Sequence, residues 1–336
     1  MLGLMPDLGV LISGIVVLYF GAEWLVRGAS RLAHSLGVSP IVVGLTVVSL
    51  GTSAPELVVC VVAAFQGNPG LAIGNVMGSN LANIGLILGL TSLIHPLEVK
   101  HRVVWREMPI MLLVTLILYP MVLDKTLGLT DGLILFLVLL AYLLFAFGSE
   151  HREETKTPNG HEESLKASGG ATSVLRLKDI RLVVLGSLLL VAGGYCIVKS
   201  AVQVAAALGI SEVVIGLTVV AVGTSLPELA TSLVAAMRQE VDIAVGNIIG
   251  SNVFNLTAIL GSTAVIGSAT GFGEIEIQEG WRYPPLAGVV FMSLLLLPIL
   301  RNGWRIHRWE GALLLTAYLG VGWWLMAYLG VDWWLI

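Results

Sequence analysis

Residues 37–89 read GVSPIVVGLTVVSLGTSAPELVVCVVAAFQGNPGLAIGNVMGSNLANIGLILG, and residues 209–261 read GISEVVIGLTVVAVGTSLPELATSLVAAMRQEVDIAVGNIIGSNVFNLTAILG. The two stretches align without a gap at an offset of 172, and about half the positions are identical. Apolar bias alone does not produce a gapless match of that length. The chain carries a duplicated half, and the rest of the sequence is read around that fact.

Outward from the repeat, the composition is that of a membrane protein. Hydrophobic residues fill 56% of the 336 positions and charged residues only 12%, about half the share of a soluble domain. Mean hydropathy is +0.91. The charges cluster and leave long apolar runs, such as 132–148 and 182–198. Runs of about 20 apolar residues cross the hydrocarbon core as helices, because lipid offers backbone groups no other partner.

The apolar runs predict an all-α polytopic fold of ten spans in two five-helix repeats. They lie near 8–33, 39–66, 70–94, 104–123 and 128–148, then near 181–206, 211–238, 242–267, 284–301 and 309–330. The organisation expected is a first repeat over 1–150, a polar cytoplasmic loop over 151–178 and a second repeat over 179–336. The first residues lack the basic stretch of a cleaved signal and are expected to lead straight into the first span. Five spans per half put the second repeat in the membrane upside down relative to the first.

Charge placement tests this independently. One side of the predicted topology collects Arg27, Arg31, Lys100, Arg102, Arg106, Arg152, Lys156, Lys166, Arg176, Lys178, Arg181, Arg238, Arg301, Arg305 and Arg308; the other collects Lys125, Lys199 and Arg282. The positive-inside rule makes the first side cytoplasmic, so both termini are expected outside, in a plasma (inner) membrane protein.

Two matched blocks inside apolar spans carry the chemistry: Gly51-Thr-Ser-Ala-Pro-Glu56 and Gly223-Thr-Ser-Leu-Pro-Glu228. A carboxylate near the bilayer centre costs at least about 2.5 kcal/mol and is read as functional. Inverted symmetry brings two of them together, where they repel unless a cation lies between. Oxygen ligands around a hard divalent ion suit that arrangement. Pro55 and Pro227 lack an N–H and release the carbonyls of Gly51 and Gly223. Thr52, Ser53, Thr224 and Ser225 add hydroxyls beside them. A proline kink alone explains the prolines and serines but not the buried glutamates.

The next span of each half supplies a second wall. Gly74-Asn-Val-Met-Gly-Ser-Asn80 with Asn83 matches Gly246-Asn-Ile-Ile-Gly-Ser-Asn252 with Asn255. Ser79 and Asn83 are four apart and share a helix face, as do Ser251 and Asn255. The glycines permit close helix approach.

These paired blocks resemble the α-repeats of the cation/Ca2+ exchanger superfamily, in particular its prokaryotic sodium/calcium exchanger branch. The resemblance implies a calcium site from Glu56 and Glu228 with the carbonyls of Thr52 and Thr224. It implies sodium sites from Ser53, Ser225, Ser79 and Ser251 with the carbonyls of Ser49 and Ala221. Asn83 and Asn255 are then the central polar pair, and the first and sixth spans the sliding gate. Some members carry an acid where this chain has Asn255, which leaves two formal negative charges for one calcium or two sodiums.

The function expected is secondary antiport of sodium against calcium. A proton-coupled exchanger of the same fold is the alternative, and a passive cation channel a more distant one. No enzyme is expected, since no nucleophile–base pair or phosphate loop is present, and no cofactor beyond the transported Ca2+ and Na+. The bilayer is the expected partner, without nucleic acid or an obligatory protein; the net charge of −4 argues neither for nor against nucleic acid. Cys60 and Cys196 sit in apolar helices, where a lone thiol acts as a small hydrophobe. All six histidines fall in loops or at span ends. Glu23 and Arg27 are spaced for a local ion pair.

Overall fold

Apolar runs of span length become helices here, in a computed structural model that describes residues 5–66, 69–154, 172–207, 221–270, 275–277 and 283–328. Among them, eight helices are long and apolar enough to cross a membrane, or nine if the bent pair Pro40–Thr52 and Ala54–Phe65 is one span. A further apolar helix, Leu226–Met237, is shorter. The first part of the span expected near 211–238 lies outside the described residues, except for a short helix over Ala221–Thr224. Helix bounds otherwise fall within a few residues of those expected. The polar stretch expected as a loop is helical at both ends, since helices run from Leu129 to Glu154 and from Thr172 to Ala207. Good helix formers such as Glu, Arg and Leu carry those helices past the apolar run; residues 155–171 lie outside the description.

The sequence repeat is an element repeat. Ala54–Phe65 matches Leu226–Met237, and Pro69–Ala82 matches Val241–Phe254. Each of the latter helices then passes through a π-helical turn, Asn83–Ile87 or Asn255–Ile259, before continuing as Leu88–Ile94 or Leu260–Ala269. The π turns were not foreseen. They widen the helix where the asparagines begin, a distortion common at functional positions.

The two longest helices, Met5–Leu36 and Thr172–Ala207, run antiparallel against each other along glycines spaced by seven. A Cβ on Gly21 would lie 2.7 Å from the Leu190 nitrogen, and one on Gly186 would lie 2.5 Å from the Leu25 nitrogen. Gly14 meets Gly193 in the same way, and Gly28 meets the Asp179 carbonyl. The glycines let the backbones approach closely, with Ile197 and Leu182 side chains packed against Gly14 and Gly28.

Two short antiparallel clips tie distant parts of the chain. Strand β1 (Leu97–Glu98) pairs with β4 (Arg305–Ile306), and β2 (Thr126–Leu127) pairs with β3 (Ile275–Glu276). The β1–β4 clip marks the basic end. The His101 ring lies 4.7 Å from that of Trp304 at a tilt of 35°, and the Arg301 guanidinium lies 4.5 Å over Trp105. Nearby, Lys100 pairs with Asp242 at 2.5 Å. Glu23 takes Arg27 at 2.8 Å, the local ion pair expected, and also Arg238 from the other half.

The buried core reaches fully through the middle of the bundle. Val241–Ala269 is the most enclosed span, flanked by the buried apolar residues Ile41, Leu45, Ile84, Ile87 and Met111. Large apolar side chains such as Leu137, Leu144, Tyr195 and Leu319 face outward on the peripheral helices. That is the inverse of a soluble surface and the arrangement lipid requires.

Candidate cation-binding site

Both GTSxPE blocks break their helix at the same residue. Ser53 has φ −81° and ψ 9°, and Ser225 has φ −87° and ψ 5°. Each serine ends one short helix and precedes another whose first turn contains Pro55 or Pro227. In the first half the two pieces meet at 47°. Proline tolerates the first turn because its missing N–H would have had no partner there. The glutamate one residue later is thereby held in the first turn of a new helix, in the middle of the bundle.

The break aims each block at the other half. Ser53 donates its hydroxyl to Glu228 Oε1 at 3.0 Å, and Ser225 donates to Glu56 Oε1 at 3.4 Å. Ser225 also meets Ser79 Oγ at 3.3 Å, while Thr52 Oγ1 lies 3.4 Å from Ser251 Oγ. Glu56 and Glu228 are both fully buried. The sequence-derived residues Thr52, Ser53, Glu56, Ser79, Thr224, Ser225, Glu228 and Ser251 therefore come together in one cluster.

Four further candidates stand at its margin. The Ser49 carbonyl accepts the Ser53 N–H at 2.9 Å and the Thr52 hydroxyl at 3.3 Å, and its own hydroxyl donates to Gly44 O and Asn247 O. Ser49 thus ties the broken helix to the neighbouring span. Ala221 begins the short helix that leads to Thr224. Asn83 and Asn255 lie buried at the start of the two π turns.

Unpaired oxygens recur here at matched repeat positions. Glu56 Oε2, Glu228 Oε2, Asn83 Oδ1 and Asn255 Oδ1 are all buried and accept no hydrogen bond. They form two symmetry-matched pairs, and every one is an acceptor. A buried polar atom without a partner costs about 1–3 kcal/mol, more when charged. Four such oxygens, two of them carboxylate, form an environment that a positive charge would stabilise. Among the described residues no group of three or more His, Cys, Asp or Glu is placed to hold a metal. The donors here are two carboxylates surrounded by hydroxyls and amides, a hard-oxygen set that favours ions such as Ca2+.

Four asparagines that the sequence reading quoted inside its blocks, but did not single out, form the supporting frame. Asn247 accepts the Thr52 hydroxyl at 3.0 Å and donates to Ser232 Oγ at 3.1 Å. Its counterpart Asn75 accepts the Thr224 hydroxyl at 3.4 Å and donates to Cys60 Sγ at 3.3 Å. Asn80 and Asn252 reach the central pair: Asn255 Nδ2 donates to Asn80 Oδ1 at 3.0 Å, and Asn83 Nδ2 donates to Asn252 Oδ1 at 3.2 Å. The available signal was their identity at matched repeat positions, 75 with 247 and 80 with 252.

Known proteins resemble this chain over most of its length. The family model for sodium/calcium exchanger protein matches residues 7–148 and 179–327. The sodium/calcium exchanger MaX1 of Methanosarcina acetivorans is 34% identical over 92% of this chain and 95% of its own. Inner membrane protein YrbG of Escherichia coli is 38% identical over 80% of this chain and 81% of its own. Among solved structures, the sodium-calcium exchanger NCX_Mj soaked with 10 mM Na+ and zero Ca2+ superposes with a TM-score of 0.79 at 31% identity, covering 94% of this chain and 97% of that one. With the match running through both halves and across every residue of the buried cluster, this chain is a membrane protein that belongs to the sodium/calcium exchanger protein family.

Proposed function

We propose that the chain exchanges sodium for calcium across the membrane by alternating access, with calcium held between Glu56 and Glu228. The observation that carries this reading is the set of four unpaired buried oxygens, arranged as two matched pairs. Calcium takes both carboxylates, with the carbonyls of Thr52 and Thr224 beside them. Sodium uses Ser53, Ser225, Ser79 and Ser251 with the carbonyls of Ser49 and Ala221, and Asn83 and Asn255 contribute neutral oxygen at the centre. Because the same carboxylates serve both ions, each ion empties the site for the other. That is the requirement for coupled exchange rather than leak.

The names of the relatives support this reading, since MaX1 and NCX_Mj are both named as sodium/calcium exchangers. Matched elements at a fixed offset support two five-span repeats, 1–150 and 179–336, inverted in the membrane and joined by the polar 151–178 segment. The basic end near β1 and β4 is the cytoplasmic one, which puts both termini outside an inner membrane. The glycine-lined pair of long helices serves as the moving gate. Its glycines bring the two backbones close together along the contact, a smooth seam that favours sliding.

The test is radioactive calcium uptake into sodium-loaded proteoliposomes, with an outward sodium gradient compared against a pH gradient. Sodium-driven uptake that disappears in Glu56→Gln and Glu228→Gln is the expected result. Uptake driven only by the pH gradient would transfer the protein to proton coupling, and flux without any gradient dependence would make it a channel.

A further inference from the structure

We propose that Asn80 and Asn252 are positioning residues that fix which end of each central amide, Asn83 and Asn255, is presented to the transported cations. The inference rests on the reading above, that the cluster takes cations, and extends it to two residues that need not touch an ion.

An asparagine amide has nearly the same shape whichever way it is turned, but its two ends are opposite in chemistry. One end accepts and the other donates two protons. Turned one way, a central asparagine offers a cation a ligand; turned the other, it offers a repulsive pair of N–H groups. Sequence alone leaves that choice open, and only a partner at one end decides it.

Here the choice is made identically in both halves. The NH2 of Asn83 is taken by Asn252 Oδ1 from the second half, and the NH2 of Asn255 is taken by Asn80 Oδ1 from the first. Both amide oxygens are left buried and without a donor. All four asparagines are buried, so no bulk water competes for these bonds.

The anchors are themselves held. Asn80 Nδ2 donates to the Asn252 carbonyl at 3.3 Å, and Asn252 Nδ2 lies 3.4 Å from Met111 Sδ. With their NH2 groups so occupied, Asn80 and Asn252 present oxygen inward as acceptors. The result is a crossed pair in which each half orients the other half's ligand. A carboxylate at position 255 would have no N–H to give Asn80 Oδ1, so the arrangement is specific to an amide there.

The experiment measures half-saturating Na+ and Ca2+ concentrations and maximal rate for purified protein in proteoliposomes. Asn80→Ala and Asn252→Ala remove the acceptor, Asn252→Asp keeps it, and Glu56→Gln runs alongside. The alanine variants are expected to raise half-saturating concentrations roughly five- to tenfold, as the loss of one buried hydrogen bond implies. Their maximal rates should stay within about twofold, while Asn252→Asp keeps the tight half-saturation of the parent.

A double-mutant cycle covers the case in which one alanine variant folds poorly. In an Asn255→Asp background the bond to Asn80 is already gone, so Asn80→Ala should shift half-saturation at least about threefold less than it does in the parent. Unchanged half-saturation in the alanine variants, equal loss in Asn252→Ala and Asn252→Asp, or a purely additive cycle would each overturn the positioning role. A Glu56→Gln protein that still exchanged normally would instead sink the two-carboxylate site, whatever the asparagine variants did.

Discussion

Glu310 and the pair Glu56 and Glu228 are all buried carboxylates in a chain poor in charge, yet their surroundings differ in kind. Glu310 sits in the first turn of the last helix, and both its oxygens are used: Asn302 Nδ2 donates to one at 2.9 Å, and the His307 N–H donates to the other at 2.8 Å. It is a helix cap that also staples the preceding turn. Glu56 and Glu228 also lie in first turns, but each takes a single serine and leaves Oε2 with nothing. Burial therefore does not separate a structural acid from a binding one. A spare oxygen does so only where no cationic side chain sits beside it, since Glu107 also leaves Oε2 without a hydrogen bond but is paired with Arg102 and Arg106.

The largest effect that would sharpen this contrast is on transport. Glu56→Gln and Glu228→Gln should each lower sodium-driven calcium uptake by about 100-fold or more, the scale of breaking a buried charge pair. The double variant should be little worse than either single one, because the pair acts as a unit. If either variant kept a tenth of the parent rate, the two carboxylates would not share one ion.

Next in size is ligand stabilisation. Calcium at 100 times its dissociation constant should stabilise the parent by about 2.7 kcal/mol, read as a rise in melting temperature in detergent. That rise should vanish in Glu56→Gln and persist undiminished in Glu310→Ala. A calcium shift lost in both would erase the distinction between cap and ligand.

Glu310→Ala itself should lower calcium-free stability by about 1–3 kcal/mol, the cost of leaving the Asn302 amide and the His307 N–H without their acceptor. Half-saturating ion concentrations should stay those of the parent. The smallest effect belongs to the frame. Cys60→Ser replaces the thiol that accepts from Asn75 with a hydroxyl like that of Ser232, and should change half-saturation by less than about twofold. Ser232→Ala, which strips the acceptor from Asn247, should cost about 1 kcal/mol of stability. A Cys60→Ser stability loss as large as that of Ser232→Ala would mean that a hydroxyl cannot stand in for the thiol.

Much of the fold was legible because its signals are one-dimensional. Apolar runs of span length and a gapless internal repeat specify helices and their correspondence without any tertiary knowledge. The carboxylates were legible for the same reason, since a glutamate inside an apolar run stands out. Asn75, Asn80, Asn247 and Asn252 were not singled out, because an asparagine announces its role only through the partner at each end, and those partners come from the other half. The π turns at Asn83 and Asn255 leave no composition signal. The clips at β1–β4 and β2–β3 are two residues long, below any hydrophobic period. Ser49 and Ala221 were named through carbonyls, whose availability depends on local hydrogen bonding that a sequence does not display.

The clips also set a schedule for making the protein. Leu97 pairs with Ile306, and Leu127 with Ile275, so neither clip closes until most of the chain exists. At typical synthesis rates the roughly two hundred residues between β1 and β4 take on the order of 10–40 s to emerge. Within that interval Glu228 and Asn255 emerge first, then β3 at Ile275–Glu276, and β4 at Arg305–Ile306 last. The pairing that joins the two ends of the chain is therefore the last of these contacts that synthesis makes available.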